Sequence, residues 1–178
     1  MRKLLNSELE RLSVEEFRTA EKLPAVIVLD NIRSQNNIGS VFRTADAFLM
    51  ERIVLCGITS VPPHREIQKT ALGATESVDW IYFEDARLAV MQLKKEGYTI
   101  YAIEQAEGSV MLQDFLWDSH DKIALVFGNE IGGVSEEVMS VADGCIEIPQ
   151  FGTKHSINIA VSAGIVLWHM RQQNYSIR

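Results

Sequence analysis

Cysteine and histidine are scarce in this sequence, and each shortage argues against a class of site. The 178-residue chain has two cysteines, Cys56 and Cys145, which form no Cys-x-x-Cys pair and lie in strand-like segments. We therefore expect reduced thiols buried in the core of a cytoplasmic protein rather than a disulfide framework. The four histidines show no metal-ligand spacing among themselves, so we expect no metal site. They are His64, His120, His155 and His169.

Long apolar runs are also missing. The most apolar segment, residues 157–170, is well short of the roughly 20 residues that a helix needs to cross a bilayer. The N-terminus has a basic start but carries acidic residues before any long apolar run, unlike a secretory signal. We therefore expect no membrane partner. Hydrophobic residues make up 47% and charged residues 23% of the chain, which is typical of a folded globular protein and argues against disorder.

Three common site motifs are absent as well. Gly-x-Gly-x-x-Gly does not follow the first predicted strand, which ends before Asp30, and this argues against a dinucleotide site. Without Gly-x-x-x-x-Gly-Lys-Ser/Thr, nucleotide hydrolysis of the P-loop kind is not expected either. No Gly-x-Ser-x-Gly elbow is present, which removes the common hydrolase interpretation.

An excess of positive charge is lacking too. The formal net charge is −7, which would normally argue against a nucleic-acid partner. The deficit comes from residues 73–121, which carry 3 basic and 10 acidic side chains, whereas residues 31–72 carry 5 basic and 3 acidic ones. An anionic ligand is compatible with this basic segment, although a solvated face explains it equally well. Its basic residues are Arg33, Arg43, Arg52, Arg65 and Lys69.

The sequence does contain a regular alternation of strand-like and helix-like segments. Residues 25–29 and 123–127 are continuous apolar runs, typical of strands buried on both faces of a parallel sheet. We predict an α/β fold with a mostly parallel sheet and helices on both faces. No repeat or linker is apparent, so we predict one domain over residues 1–178, with a short helical extension at 1–23.

Residues 146–170 organise the rest of the chain. They begin as a short strand ending at Pro149, cross a polar loop and become a helix that is apolar on nearly every face. Small residues fill the middle of this helix, namely Ala160, Ser162, Ala163 and Gly164. We expect the helix to pack partly against its own sheet and partly against a partner. Ser156 and Asn158 lie at its N-terminus, where free N–H groups favour a polar ligand, although helix capping by Ser156 accounts for the same pattern.

Ligands of parallel α/β sheets bind at the carboxyl ends of the strands. The candidate site therefore lies in four loops, which hold nearly all the Gly, Asn and Ser residues of interest. These loops follow Asp30, Ile103, Phe127 and Ile148.

Three segments in these regions carry a more specific pattern. The first reads Asn37-Ile-Gly-Ser-Val-Phe-Arg43-Thr-Ala, with an Asn six residues ahead of an Arg. The second reads Phe127-Gly-Asn-Glu130-Ile-Gly-Gly-Val-Ser. The third reads Ile146-Glu-Ile-Pro149, followed by Ser156-Ile-Asn158-Ile-Ala-Val-Ser-Ala. In this order and at these separations they resemble the three motifs of the SPOUT superfamily of RNA methyltransferases, in its TrmH (SpoU) branch, over roughly residues 24–174.

This resemblance implies a fold, a cofactor and a partner. The C-terminal part of the sheet would be tied in a deep trefoil knot, a feature so rare that no spacing argument would suggest it. S-adenosylmethionine would bind among the knotted loops of a homodimer that builds each site across its interface, and no DNA partner is expected. The implied cofactor-binding residues are Ile103, Glu104, Gly128, Ile148, Ser156 and Ile157. The implied catalytic residues are Arg43, Asn37, Glu130, Ser156 and Asn158.

The implied activity is methylation of a ribose 2′-hydroxyl of tRNA or rRNA. The family assigns the residue matching Arg43 as general base, yet arginine is a poor base because its pKa lies above 12. Clamping a phosphate and orienting the hydroxyl, with Glu130 and Asn37 holding the guanidinium, is an equally serious role. The sequence departs from the family at Phe48-Leu49-Met50, where Phe-Gly is usual, and at Ile157, where Leu is usual. It also shows no added RNA-binding domain, which leaves the choice of RNA open.

Three alternative functions remain open from the sequence. One is a catalytically silent SPOUT-like module that binds RNA or cofactor as an assembly factor. The second is a base-methylating enzyme of the same superfamily, and the third is a plain nucleotide-binding enzyme with a Rossmann-type sheet. The intact set of Asn37, Arg43, Glu130 and Asn158 argues against a silent module.

Overall fold

The computed structural model describes residues 1–118 and 120–175, which contain a seven-stranded sheet. The strands are β1 (Leu23–Asp30), β2 (Met50–Cys56), β3 (Asp79–Phe83), β4 (Thr99–Ile103), β5 (Val110–Met111), β6 (Ile123–Phe127) and β7 (Gly144–Glu147). The helices are α1 (Val14–Thr19), α2 (Gln35–Ala47), α3 (Arg65–Ala71), α4 (Ala74–Ser77), α5 (Ala86–Lys95), α6 (Glu136–Met139) and α7 (Ile159–Tyr175). The strand order is β3-β2-β1-β6-β4-β7-β5, and every pair of neighbours is parallel.

Helices cover both faces of this sheet, as the apolar runs predict. In β1, Ile27 and Leu29 point to a core shared with α2, α3 and α7, whereas Val26 and Val28 point to a core shared with α5 and α6. Because alternate residues of a strand face opposite sides, a strand covered on both faces must be apolar at every position. The α/β prediction is confirmed, and the knot stays a prediction.

The N-terminal extension is less helical than predicted. A 3₁₀ turn occupies Asn6–Glu8, and α1 is a single short helix before β1 begins at Leu23. It starts with a capping box, since the Ser13 side chain accepts from the Glu16 N–H and the Glu16 side chain accepts from the Ser13 N–H. Phe17 is buried in the main core, so the extension packs on the body of the protein.

Helix α2 begins at Gln35, directly after its N-cap residue Ser34. Asn37 is a plausible N-cap by residue type, but Ser34 takes that position and accepts from the Asn37 N–H at 3.3 Å. This leaves the Asn37 side chain free to project from the first turn. At Gly39 the helix touches α3, because a Cβ there would lie 2.1 Å from Thr70 Oγ1 and 2.3 Å from the Ile67 carbonyl oxygen.

Two short strands differ from the predicted pattern. The strand expected at residues 146–149 runs from Gly144 to Glu147 as β7, so Ile148 and Pro149 already belong to the loop beyond it. The two-residue β5 at the sheet edge is too short for any periodicity to reveal. Within the described ranges, no helix combines the length and apolar character needed to cross a bilayer.

Helix α7 has apolar side chains on two sides. The buried side, which packs in the core beside α2, consists of Ile159, Ala163, Val166, Leu167 and Met170. Val161, Ile165 and Trp168 are exposed at helical spacing, and the Trp168 ring lies 5.7 Å from the Phe48 ring. A Cβ built on Gly164 would meet no described atom within 4 Å. The contact with its own sheet is confirmed, and the contact with a partner stays a prediction.

The two cysteines are free, as predicted, although Cys145 is half-buried rather than fully buried. Burial, together with the nearby carboxylates of Asp30 and Asp85, raises the pKa of Cys56 to about 12. Burial also raises the pKa of Cys145, whose Sγ donates to the Glu104 carbonyl oxygen at 3.3 Å. Both thiols therefore stay protonated at neutral pH and act as small apolar core groups.

Candidate active site

A cleft of about 330 Å³ lies at the carboxyl ends of β4, β6 and β7, where ligands of parallel sheets bind. Two loops form its walls: the glycine loop (residues 128–133) after β6 and the lysine loop (residues 150–155) before α7. All six residues predicted to bind the cofactor line this cleft. They are Ile103, Glu104, Gly128, Ile148, Ser156 and Ile157.

Three of the five predicted catalytic residues are joined by hydrogen bonds. Asn37 Nδ2 donates to Glu130 Oε1 at 2.7 Å, and Asn158 Nδ2 donates to Asn37 Oδ1 at 3.2 Å. These residues come from α2, the glycine loop and the start of α7, which are far apart in sequence. The chain of three polar side chains fixes both amide groups and one carboxylate oxygen at the edge of the cleft.

Asn158 also begins α7. Its Oδ1 accepts from the Ala160 N–H at 2.9 Å, and its carbonyl oxygen accepts from the Ser162 N–H at 2.9 Å. Asn158 is therefore the capping residue, and the expectation that Ser156 caps the helix is wrong. Ser156 is exposed and lines the cleft instead, where its hydroxyl can contact a ligand.

Arg43 lies apart from this group. It is exposed on α2, and within residues 1–118 and 120–175 it makes no hydrogen bond or ion pair. The expected contact in which Glu130 and Asn37 hold its guanidinium is not formed within one chain; Asn37 donates to Glu130 instead. Within one chain, therefore, the Arg43 guanidinium on α2 and the Glu130 carboxylate at the cleft do not form an ion pair.

The glycine loop is held by its own backbone. Asn129 and Gly133 exchange two backbone hydrogen bonds of 3.1 and 2.9 Å, and Asn129 Oδ1 accepts from the N–H groups of Ile131 and Gly132 at 3.0 and 2.9 Å. A Cβ on Gly128 would lie 1.9 to 2.1 Å from backbone atoms of Gly133 and Val134. Glycine is therefore required at 128 because the loop folds back on itself there.

Two carboxylates hold the residues that follow the loop, one from the last residue of β1 and one from the residue directly after β4. Glu104 Oε2 accepts from the Val134 N–H at 3.1 Å, and the buried Asp30 accepts through Oδ2 from the Ser135 N–H at 2.9 Å. Sequence reasoning missed Asp30 as a positioning residue. An acid at the end of a continuous apolar strand is a usable signal, since a buried carboxylate needs donors nearby.

The lysine loop is less constrained. Gln105 Nε2 donates to the His155 carbonyl oxygen at 2.6 Å, which fixes one end of the loop. Phe151 has 96% of its surface exposed, and a Cβ on Gly152 would meet no described atom within 4 Å. The lining residues that were not among the predicted site residues are Gln105, Phe127, Asn129, Ile131, Gly132, Gly133, Gln150, His155, Ile159 and Ser162.

The lining suits an aromatic group that carries polar substituents. Ile103, Ile148 and Ile157 offer apolar surface, while backbone groups of the two loops and several polar side chains offer hydrogen bonds. A volume near 300 Å³ is at the lower end of ordinary small-molecule sites. The cleft can therefore hold one nucleoside-sized ligand beside the Asn37 side chain and its two partners.

The sequence is similar to those of two RNA methyltransferases in particular. The chain is 31% identical over 172 residues to the tRNA (guanosine(18)-2′-O)-methyltransferase of Thermus thermophilus, covering 94% of this chain and 84% of that enzyme. It is 33% identical over 150 residues to the 23S rRNA (guanosine-2′-O-)-methyltransferase RlmB of Neisseria meningitidis, covering 84% of this chain and 59% of that enzyme.

Solved structures with this fold lead to the same group. The A. aeolicus TrmH/SpoU tRNA modifying enzyme matches with a TM-score of 0.81 at 24% identity, over 92% of this chain and 82% of that one. An AdoMet-bound rRNA methyltransferase from Sinorhizobium meliloti matches with a TM-score of 0.79 at 27% identity, over 88% and 59%. The SpoU rRNA Methylase family model matches residues 24–168, which is most of the chain. The chain belongs to the SpoU rRNA methylase family.

Proposed function

We propose that this chain transfers a methyl group from S-adenosylmethionine to a ribose 2′-hydroxyl of tRNA or rRNA. The observation that carries the proposal is the placement of the Glu130–Asn37–Asn158 hydrogen bonds at the edge of a nucleoside-sized cleft in a SpoU family member. Relatives whose names specify 2′-O-methylation of tRNA and rRNA support both the reaction and the substrate class.

The cleft fits S-adenosylmethionine by its own chemistry. Apolar faces of Ile103, Ile148 and Ile157 can sandwich a purine, while the loop backbones can bond its edge and the ribose. When bound, the cofactor supplies a methyl group made electrophilic by the sulfonium. The protein must then orient the attacking hydroxyl and accept or release its proton while the O–CH₃ bond forms and the S–CH₃ bond breaks.

The proposed catalytic residues comprise a hydrogen-bonded group, Asn37, Asn158 and Glu130, and a separate cation, Arg43. Asn37 and Asn158 orient Glu130 through the hydrogen bonds described above. Within the part of the chain that the structure describes, Glu130 Oε2 has no partner, so this oxygen can accept a guanidinium or a hydroxyl proton. Arg43 then serves either as a clamp that orients the hydroxyl and a phosphate or as the group that removes the proton.

We also propose that the active unit is a homodimer in which Arg43 of one copy completes the site of the other. Arg43 and Glu130 are not paired within one chain, although a carboxylate and a guanidinium attract strongly. The exposed apolar stripe of Val161, Ile165 and Trp168 gives α7 a surface for a second copy. Obligate homodimers bury about 2,000 Å² or more of mostly apolar surface.

Mixed dimers test this arrangement directly. Arg43→Ala and Glu130→Ala chains, each inactive alone, would be unfolded and refolded together at equal concentration. If Arg43 acts across the interface, each mixed dimer regains one intact site and methyl transfer returns. If both residues act within one chain, every site in the mixture lacks a group and no activity returns. Light scattering on wild type must report about twice the 20.0 kDa chain mass.

The reaction itself is tested by incubating the protein with radiolabelled S-adenosylmethionine and unmodified RNA, followed by digestion to nucleosides. The proposal expects the label on a ribose 2′-oxygen. Label on a base would indicate a base-methylating enzyme, and no transfer despite tight cofactor binding would indicate a silent module. Affinity for NAD or ATP instead of S-adenosylmethionine would favour a plain nucleotide-binding enzyme.

We further propose that residues 1–178 act as one domain in the cytoplasm. Phe17 of the N-terminal extension is buried in the main core, and Arg18 donates to the Glu76 carbonyl oxygen at 2.7 Å. The two free, protonated thiols suit a reducing compartment. A single cooperative thermal transition is expected, and two separate transitions would contradict one domain.

A further inference from the structure

The lysine loop presents an aromatic ring to solvent at the cleft. Phe151 is 96% exposed, yet Gln150 and His155 on either side of it line the cleft. Gln105 anchors the loop at His155, and the Phe151 ring between Gln150 and His155 gains no burial of its own. An exposed ring gives nothing to stability, since the free energy of apolar burial scales with the area removed from water.

The segment that carries this ring has charges that favour an anionic partner, whereas Glu104 and Glu130 line the cleft beside it. Residues 148–158 contain Lys154 and His155 and no acidic side chain, in a protein whose net charge is −7. Lys154 is exposed and makes no ion pair with any described residue. On the glycine loop, which lines the same cleft, Ile131 is also 83% exposed. Apolar surface and a free cation therefore occur together at this rim.

A second exposed apolar side chain shows that exposure alone does not indicate an RNA contact. Leu116 is 86% exposed at the opposite end of the sheet, near the first residues of β4 and β6. Its neighbours in sequence carry three carboxylates, Asp114, Asp118 and Asp121, against one lysine, Lys122, so the net local charge disfavours an RNA backbone. The two positions share size and exposure and differ in charge and in distance from the cleft.

We infer that Phe151 stacks on a base of the RNA substrate and that Lys154 contacts a phosphate of the same strand. This inference rests on the proposed function and adds a substrate-binding element to it. Aromatic side chains bind single-stranded RNA by stacking, because every base has a flat apolar face, and lysine contributes phosphate contacts that weaken with salt. The lysine loop thereby presents the nucleotide to the cleft.

The test measures the KM for RNA in methyl transfer, using in vitro transcribed tRNA and rRNA and full-length protein. Phe151→Ala should raise the KM by about 5- to 150-fold, the equivalent of about 1–3 kcal/mol of stacking. Phe151→Trp should stay close to wild type, whereas Phe151→Leu should resemble alanine because it keeps bulk without a flat ring. Lys154→Ala should reduce the salt dependence of binding by about one phosphate contact.

Controls separate this inference from the proposed function. Leu116→Ala should leave the KM unchanged, and every variant should bind S-adenosylhomocysteine like wild type. An active wild type with an unchanged KM in Phe151→Ala overturns the inference alone, as does full rescue by Phe151→Leu. A monomeric Phe151→Ala protein beside a dimeric wild type also overturns it, because a second copy would then cover the ring. A wild type that methylates neither RNA overturns both proposals.

Discussion

The glycine loop and the lysine loop line one cleft but are built in opposite ways. The glycine loop closes on itself through paired backbone hydrogen bonds between Asn129 and Gly133, and Glu104 and Asp30 hold the residues that follow it. The lysine loop is held near His155, and its side chains from Phe151 onward are exposed to solvent. The glycine loop is therefore ordered without a ligand, whereas the lysine loop leaves its side chains available to a partner.

This difference matches the two ligands of the proposed reaction. A small cofactor gains affinity when its site needs no rearrangement, because less conformational freedom is lost on binding. A large RNA needs accessible side chains at the rim that can reach its bases and backbone. We therefore expect substitutions in the glycine loop to affect the cofactor and those in the lysine loop to affect RNA.

The largest effect is expected from Gly128→Val. The new side chain would overlap the backbone of Gly133 and Val134, so the glycine loop itself must move. S-adenosylhomocysteine binding should fall below detection in calorimetry, and the melting temperature should drop by roughly 2–12 °C, as for an overpacked core. Wild-type affinity in this variant would show that the loop is not a fixed wall.

Arg43→Ala should come next, with an effect on chemistry alone. Methyl transfer under single-turnover conditions should slow by roughly 10²- to 10⁴-fold, while cofactor affinity and melting temperature stay unchanged, because Arg43 lies outside both loops and is exposed. Near-complete rescue by Arg43→Lys would indicate that charge suffices, whereas a defect as deep as that of alanine would indicate orientation or base chemistry. Turnover above about half of wild type in Arg43→Ala would contradict the catalytic assignment.

A smaller effect is expected from Glu104→Ala, which removes the acceptor of the Val134 N–H. Leaving that donor unpaired should weaken cofactor binding by about 5- to 150-fold, the equivalent of about 1–3 kcal/mol. Glu104→Gln keeps an acceptor oxygen and serves as the matched control. If glutamine binds the cofactor as poorly as alanine, the negative charge itself contacts the ligand and the positioning role is wrong.

The smallest effect is expected from Gly152→Val in the lysine loop, the same substitution as in Gly128→Val. A Cβ at 152 meets no described atom within 4 Å, so the new side chain has room. Cofactor affinity should change by less than about twofold, within the range of ordinary surface substitutions. A loss as large as that of Gly128→Val would remove the contrast between the loops.

The sequence predicts the sheet well because its signal is local. Continuous apolar runs in β1 and β6 reflect burial on both faces, and the capping box at Ser13 is visible within four residues. The N-cap residue was harder to predict where two suitable residues lie close together. Ser34 and Asn37 are both good N-cap residues, as are Ser156 and Asn158, and only the packing of α2 and α7 decides between them.

The residues of the candidate site that belong to a sequence motif could be predicted. The hydrogen bonds between residues far apart in the sequence could not. The resemblance supplied six residues for the proposed cofactor site, and all six line the cleft. Asp30 and the Ser135 N–H that it accepts from are 105 positions apart in the sequence, and Glu104 and the Val134 N–H are 30 positions apart. In both hydrogen bonds the donor is a backbone N–H, which almost any residue could supply. The residue type of the donor therefore gives no sign of such a hydrogen bond.

The Asn158 amide also joins α7 to the polar group at the cleft. Its oxygen accepts from the Ala160 N–H in the first turn of the helix, and its nitrogen donates to Asn37, which in turn donates to Glu130. Any contact that restrains the exposed stripe of α7 would therefore also restrain Glu130, through two hydrogen bonds and without touching it.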